Sequence, residues 1–254
     1  MNDSDRLINS EAYVITQTDY GEADRLYTIF SRRNGKVKAF ARGVRKTKSR
    51  KAGHLQPISL IWLMLAKGKT FWVVTQADTI DPYTSIKNDL SKTAKALYIF
   101  ELINRFSPED EPMPALFRLT KKTLQLIQEN DDLFLILRYF EFRLLKETGY
   151  KPNLVTCVQC GEEILPQDQF FSADLGGILC PKCGLRANAV RKISVSALKY
   201  LRFIQRSPYY DLQKANPPRE TQQEMESVML YYLTYINEKK LNTPEFISQI
   251  QKEK

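Results

Sequence analysis

The sequence predicts a multidomain α+β protein, with a small β domain followed by a helical domain that carries an inserted four-cysteine module. Three observations lead to this fold class. Short alternating apolar segments with tight turns fill the first 81 residues, apolar residues at helical spacing follow, and all four cysteines fall within 27 residues. A chain of 254 residues is long enough to bury a core in more than one domain.

Five strands are predicted in the N-terminal domain, residues 1–81, and their short turns favour a small barrel or sandwich. The predicted strands cover residues 13–16, 25–31, 36–41, 58–66 and 70–77. Between the second and third strands, Asn34-Gly35 is typical of a type I′ hairpin turn. Lys67-Gly68-Lys69 indicates a second hairpin between the last two strands.

Helical periodicity begins after Asp81-Pro82, and residues 82–254 are assigned to the helical domain. The predicted helices cover roughly residues 90–106, 114–128, 130–149 and 194–206, and a last one carries the apolar residues between 225 and 236. Asn130 and Ser194 are the expected N-caps of the third and fourth helices. Because amphipathic stripes normally face a core, these helices predict packing rather than a specific function.

The four-cysteine module, residues 155–186, is inserted between helices. Cys157 and Cys160 form one Cys-x-x-Cys turn, and Cys180 and Cys183 form a second one nineteen residues later. Four thiolates in this arrangement favour one tetrahedral Zn²⁺, and a closed shell of four protein ligands makes the metal structural. An iron–sulfur cluster or a redox pair remains an alternative on spacing alone.

The positive charge is concentrated in residues 32–51, which contain ten basic residues and no acidic ones. The whole chain has 38 basic and 29 acidic residues, so outside this segment 28 basic residues face 29 acidic ones. A solvated charged loop is the simpler interpretation, but charge of one sign at one place favours a polyanionic partner. The candidate nucleic-acid-binding residues are Arg32, Arg33, Lys36, Lys38, Phe40, Arg42, Arg45, Lys46, Lys48, Arg50 and Lys51.

In the part of segment 32–51 that forms the predicted third strand, side chains alternate between two faces. Lys36, Lys38 and Phe40 share one face of the predicted third strand, and small apolar residues occupy the other. Cations can follow the phosphates of a single strand while an aromatic ring offers a base a stacking surface. The residues after 41 are expected to form a flexible loop, and binding is expected to be non-specific and sensitive to salt.

No catalytic motif emerges from the sequence. Gly68-Lys69-Thr70 resembles the end of a phosphate-binding loop, but Leu63 stands where that motif requires glycine. His54 is the only histidine and has no evident nucleophile or paired acid near it in sequence. We therefore expect a protein that is not an enzyme.

A cytoplasmic location without membrane contact is also expected. Residues 1–16 lack the apolar core of a secretory signal. The longest apolar run, Ile58 to Ala66, is far shorter than the ~20 residues that span a bilayer.

Residues 21–57 resemble the N-terminal region of bacterial RecO recombination mediators. The matching positions are Gly21-Glu22, Gly35, Gly43, Ser49-Arg50 and Leu55-Gln56-Pro57. The order of modules is also similar, with a barrel, a helical domain and a four-cysteine zinc module within that domain. The resemblance therefore extends over essentially the whole chain.

The resemblance implies an OB-fold that binds single- and double-stranded DNA non-specifically and anneals complementary strands. It further implies action with RecR, and in some species RecF, to load RecA onto DNA coated by single-strand-binding protein, and association with the nucleoid. The helical domain would bind the acidic C-terminal tail of that coating protein. The residues alone leave two alternatives open: a zinc-ribbon OB-fold factor that binds RNA or ribosomes, and an undetected nucleotide-dependent enzyme.

Overall fold

The computed structural model describes residues 7–252 and groups them into two compact units. Of the described residues, the first unit contains 7–129 and 242–252, and the second contains 130–241. The predicted boundary at 81/82 marks the change from strands to helices, but it does not separate packing units. The reason is that the first helices pack directly on the barrel through aromatic side chains such as Phe100 and Phe117.

Within residues 7–252, the first five strands close a barrel in the order β1-β2-β3-β5-β4. The strands are β1 (Leu7–Tyr20), β2 (Asp24–Ser31), β3 (Gly35–Ala41), β4 (Leu60–Lys67) and β5 (Trp72–Asp81). Neighbouring strands are antiparallel except β3 and β5, which are parallel. This arrangement is the five-stranded OB barrel, and its interior holds inward-facing residues such as Ile29, Val37 and Leu63.

Two predictions for the strands differ from the structure. β1 begins at Leu7 rather than Tyr13, because Leu7 already pairs with Ala66 on β4. The β2–β3 hairpin is not a type I′ turn: three residues separate the paired Ser31 and Gly35, and Asn34 does not share the positive φ of Gly35, which is 63°. A type I′ turn needs positive φ at both central residues.

The helices in the described chain are α1 (Thr84–Lys87), α2 (Leu90–Phe106), α3 (Pro114–Glu129), α4 (Phe134–Glu147), α5 (Pro181–Gly184), α6 (Val195–Arg206), α7 (Tyr209–Leu212), α8 (Arg219–Asn237) and α9 (Thr243–Lys252). No helix among the described residues combines the length and apolar character needed to cross a bilayer. In the first unit, α9 packs on α2, and the Glu101 carboxylate accepts hydrogen bonds from the Asn242 and Thr243 N–H groups at 2.9 Å.

The second unit combines α4–α8 with a small sheet of order β7-β6-β8, formed by β6 (Gln169–Ser172), β7 (Gly177–Leu179) and β8 (Val190–Ile193). Ser194 caps α6 as predicted, because its hydroxyl accepts a hydrogen bond from the Ala197 N–H at 3.1 Å. The prediction that Asn130 caps α4 is wrong. That helix begins at Phe134, whose N–H donates to the Asp132 carboxylate at 3.0 Å.

Candidate nucleic-acid interface and metal centre

The outward face of β3 has the predicted composition. Val37 and Ala39 are buried in the barrel, whereas Lys38 is exposed and Lys36 and Phe40 are half-buried on the opposite face. The alternation follows from the pleat of the strand, since successive side chains point to opposite sides of the sheet.

Residues 42–59, which we call the basic loop, are fixed to the barrel rather than freely flexible. Val44 and Leu55 are 1% and 0% exposed and belong to the barrel core. Near its start the Gly43 N–H donates to the Asp24 carboxylate at 2.6 Å, and near its end His54 Nδ1 accepts from the Thr79 N–H at 3.1 Å. The loop therefore presents its charges at defined positions, and His54 has a structural contact.

Among the described residues, half of the ten basic side chains of segment 32–51 have no hydrogen-bond or ion-pair partner. Within the described chain, these five are exposed and their side chains form no hydrogen bond or ion pair. They are Arg33, Arg42, Lys46, Lys48 and Arg50, and we call them the five free cations. Four of them lie on the basic loop, so the anchored loop supplies most of the unneutralised charge.

Three more predicted contacts form ion pairs in which the cation is at least partly exposed. The pairs are Arg32–Glu11 (3.6 Å), Lys38–Glu109 (3.0 Å) and Arg45–Asp19 (3.4 Å). A hydrogen bond from Arg25 lowers the pKa of Asp19, so this carboxylate stays ionised beside Arg45. Water and salt weaken pairs of this kind, so a phosphate group can compete for these cations.

Lys36 and Lys51 have structural contacts instead. The Lys36 ammonium donates to the Asn104 carbonyl at 2.7 Å, and the Lys51 ammonium donates to the Val74 carbonyl at 3.0 Å. Burial lowers the pKa of both lysines. Their role as nucleic-acid contacts stays a prediction, and the geometry shows them joining neighbouring segments of the first unit.

The four cysteines meet at one point in the second unit. Their Sγ atoms all lie within 4.8 Å of one another, and Cys160 Sγ is 3.9 Å from Cys180 Sγ. A tetrahedral Zn²⁺ with Zn–S bonds of about 2.3 Å requires S···S separations of about 3.8 Å. The arrangement therefore fits one tetrahedral metal ion. Gly161 takes φ of 78° after the first Cys-x-x-Cys turn, whereas Gly184 avoids a contact of 2.2 Å between a Cβ and the Phe170 ring.

The thiols of this site respond differently to their surroundings. Burial opposes ionisation of Cys157, but backbone N–H groups of Cys160, Cys180 and Gln159 outweigh it and lower the pKa to about 6. The neighbouring thiols, Cys180 first, raise the pKa of Cys183 to about 12. Without a cation, four thiolates at this spacing repel one another. A bound metal ion would offset this repulsion.

Comparison with known proteins agrees with both halves of this architecture. A family model described as recombination protein O, N terminal, matches residues 4–83, and one described as recombination protein O, C terminal, matches residues 87–245. The chain belongs to the RecO family. The gap between the two RecO regions falls just after β5.

Curated relatives extend the match over nearly the full length. A DNA repair protein RecO of Dehalococcoides mccartyi is 35% identical over 230 residues, covering 91% of this chain and 90% of that protein. RecO proteins of Roseiflexus sp. and Desulforamulus reducens are each 33% identical over 247 residues, covering 97% of this chain and 87% and 96% of theirs. The family membership predicted from residues 21–57 is confirmed. The names of these relatives describe RecO proteins as DNA repair proteins.

Several positions that carried the RecO resemblance have structural causes. Gly21 and Gly43 have φ of 57° and 62°, a conformation that L side chains rarely adopt, and both lie in turns at the ends of strands. Leu55 fills the barrel core. The residues that match the RecO pattern in this region therefore form turns and buried contacts that hold the basic loop in position.

Aromatic residues on the surface of this RecO barrel were missed by the sequence reasoning. Tyr20 is 60% exposed and contacts the edge of Phe40 with ring centroids 5.2 Å apart. Trp72 is half-buried, and its indole N–H donates to the Asp110 carboxylate at 3.4 Å. The signal for Trp72 was present, because Phe71-Trp72 directly follows the basic Lys67-Gly68-Lys69-Thr70 turn.

Proposed function

We propose that this RecO-family chain binds single- and double-stranded DNA without sequence preference and anneals complementary strands. One observation carries the proposal: the five free cations lie together on segment 32–51, and buried anchors hold the basic loop that carries four of them. An anchored group of cations without neutralising carboxylates is suited to phosphates, and phosphate contacts carry no sequence information.

Annealing on such a surface needs no bond chemistry, and we propose that the chain is not an enzyme. Two complementary strands repel each other through their phosphates, and the cations of the basic loop screen that repulsion. Binding releases condensed counterions, which favours association at low salt. Arg32, Lys38 and Arg45 add contacts when phosphates replace their carboxylate partners.

The family suggests the partners. We propose that the chain acts with RecR, and in some species RecF, to load RecA onto DNA coated by single-strand-binding protein. Its helical region would bind the acidic C-terminal tail of the coating protein, and the site of action would be the nucleoid in the cytoplasm. Support for these partners comes from membership of the RecO family.

We also propose that the metal is one structural Zn²⁺ held by Cys157, Cys160, Cys180 and Cys183. Support comes from the four-sulfur donor set and its tetrahedral spacing, since zinc prefers four thiolates in closed structural sites. The ion would hold together the short β6–β7 hairpin and the two Cys-x-x-Cys turns, which together are too small for a core of their own.

Charge removal from the basic loop tests the proposed function. The variant replaces Arg42, Lys46, Lys48 and Arg50 by Gln, and its matched control replaces the exposed Lys122, Lys146, Lys151 and Lys199 by Gln. The assays are affinity for a labelled oligonucleotide and annealing of complementary DNA strands coated by single-strand-binding protein. We expect the loop variant to lose roughly a hundredfold in affinity at moderate salt and to anneal slowly, because it neutralises about four fewer phosphates.

Three outcomes would contradict the proposal: intact protein that does not accelerate annealing, a loop variant that binds like the control, or a preference for RNA over DNA. The last outcome would favour an RNA-binding or ribosome-associated factor. ATP turnover by the intact protein would contradict the absence of enzyme activity.

A further inference from the structure

An acidic segment after α2 lies along the edge of β3. We call Glu109-Asp110-Glu111 the acidic strap. β3 pairs with β5 through Ala39 and Phe40, which leaves its first half open on that side. The strap fills this opening: Glu109 forms a parallel bridge with Lys36, and the Asp110 N–H donates to the Lys36 carbonyl at 2.8 Å.

The close approach of the strap depends on Gly35. A Cβ atom at this position would lie 1.7 Å from the Glu111 carbonyl oxygen. Gly35 also has φ of 63°, so glycine is needed there for both reasons. The backbone of the strap is therefore held close to β3 within the first unit.

A cleft of about 480 Å³ opens beside the strap. Lys38, Lys67 and Lys69 line it together with the half-buried Phe71 and Trp72, and Trp72 also packs against the barrel core. Within the described residues, the exposed Lys67 and Lys69 have no ion pair. This combination of ammonium groups and rings suits a nucleotide, with cations for the phosphate and a ring face for the base.

The strap occupies the same donors that a nucleotide would use. Glu109 pairs with the Lys38 ammonium at 3.0 Å, and Asp110 accepts from the Trp72 indole at 3.4 Å. The side chains of Lys38 and Glu109 are 46% and 54% exposed, so water and salt weaken their attraction. A phosphate is also an anionic acceptor and can replace either carboxylate.

We propose that this cleft binds one or two nucleotides of single-stranded DNA, with a base stacked on Trp72, and that the acidic strap competes with DNA for it. The inference rests on the proposed DNA binding and adds a second contact region beyond the basic loop. Single strands are the ligand because stacking on a protein ring requires a base that is free of its duplex neighbours. The strap lowers affinity until a strand displaces its carboxylates from Lys38 and Trp72.

Trp72 can report on the cleft directly. The chain has two tryptophans, so Trp62→Phe leaves Trp72 as the only one. Titration with a labelled oligothymidylate measures binding by anisotropy, and the tryptophan emission of the same sample measures occupation of the cleft. We expect the emission to be quenched in parallel with the anisotropy change. Unchanged emission at saturating anisotropy would overturn the proposal.

The strap is tested by removing its charge. In Glu109→Gln/Asp110→Asn, affinity for oligothymidylate should rise by about three- to tenfold at moderate salt. The logarithmic salt slope should steepen by about 0.7 for each additional phosphate that the protein neutralises on a single strand. The control Asp78→Asn/Glu129→Gln removes two exposed carboxylates outside the cleft and should change both quantities less.

The two proposals fail separately. If the strap variant binds no better than its control and Trp72 is not quenched, while the basic-loop variant loses affinity, the cleft proposal is wrong and the proposed function stands. If the intact protein binds no DNA, both are wrong. Strong quenching together with a weak effect of the basic-loop variant would support the cleft and contradict the role of the loop.

Discussion

Leu55 and Val44 attach the basic loop to the barrel. Both side chains lie in the barrel core, and each is surrounded in sequence by polar or charged residues. Burying two apolar side chains stabilises a conformation that charge repulsion alone would disperse. The loop that carries four of the five free cations is therefore attached to the barrel near both of its ends, so less conformational entropy is lost when DNA binds.

Leu55→Ala tests this anchoring. We expect the free energy of unfolding to fall by about 2–5 kcal/mol, because the substitution leaves a cavity in the barrel core. The measurement is the urea midpoint of the intact chain. Thr47→Ala, at an exposed position of the same loop, should change stability by less than about 0.5 kcal/mol. Equal midpoints for the two variants would show that Leu55 does not anchor the loop.

At the scale of elements, the barrel and its first helices are joined by buried aromatic rings. Tyr13 on β1 lies 5.7 Å from Phe100 on α2 and 5.3 Å from Phe117 on α3, between ring centroids. Its hydroxyl is 3.2 Å from that of Tyr83, which precedes α1. These contacts explain why the first packing unit extends past the last barrel strand.

The Tyr13–Tyr83 pair predicts loss of stability at alkaline pH. Burial raises the pKa of Tyr83 from 10.0 to about 12 and raises that of Tyr13 further. Since the unfolded chain releases these protons near pH 10 and the folded chain keeps them, stability is present below about pH 10 and falls between about pH 10 and 12. Urea midpoints measured across this range test the sign.

The double variant Tyr13→Phe/Tyr83→Phe should flatten that alkaline decline, because it has no buried phenols to ionise at this contact. Tyr210→Phe, at a position 71% exposed, should leave the pH dependence as it is in the intact chain. A double variant with the same alkaline decline as the intact chain would assign the effect to other groups.

The proposed zinc site predicts that the four-cysteine module is stable only when it holds its metal. We expect about one equivalent of zinc per chain in the intact protein and almost none in Cys160→Ser, with a lower midpoint of thermal unfolding. Gln159→Ser, at the adjacent non-ligand position, should keep the metal. Elemental analysis and a melting curve measure both effects. Intact protein without bound metal would contradict the four-thiolate site.

At the scale of the whole molecule, charge is distributed unevenly. The net charge of +9 is carried by segment 32–51, and the rest of the chain is nearly neutral. Affinity for DNA should therefore depend mainly on this segment, and long-range attraction should be directed to it.

Salt dependence measures how many cations take part. If the five free cations each meet one phosphate of a single strand, the logarithmic slope should be about −3.5. Replacing Arg42, Lys46, Lys48 and Arg50 by Gln should make the slope shallower by about 2.8. Anisotropy titrations between roughly 50 and 200 mM salt cover the useful range. A variant with an unchanged slope would place the phosphate-binding residues elsewhere.

Features that depend on local spacing follow from the amino-acid sequence alone. Strand alternation predicted the two faces of β3, helical periodicity predicted α2, α3 and α6 closely, and the two Cys-x-x-Cys turns predicted a four-sulfur site. These features are local because side-chain direction repeats every two residues in a strand and every 3.6 residues in a helix. A Cys-x-x-Cys turn likewise places two sulfurs side by side.

Which of the predicted cations are free depends on tertiary contacts. Glu109, Asn104 and Val74, which engage Lys38, Lys36 and Lys51, are distant in sequence, so no local pattern could reveal them. The same holds for the cleft beside Trp72 and for the strap that Gly35 admits. The physical reason is that burial and pairing depend on contacts between distant segments, and these exist once the barrel has closed and its helices have packed.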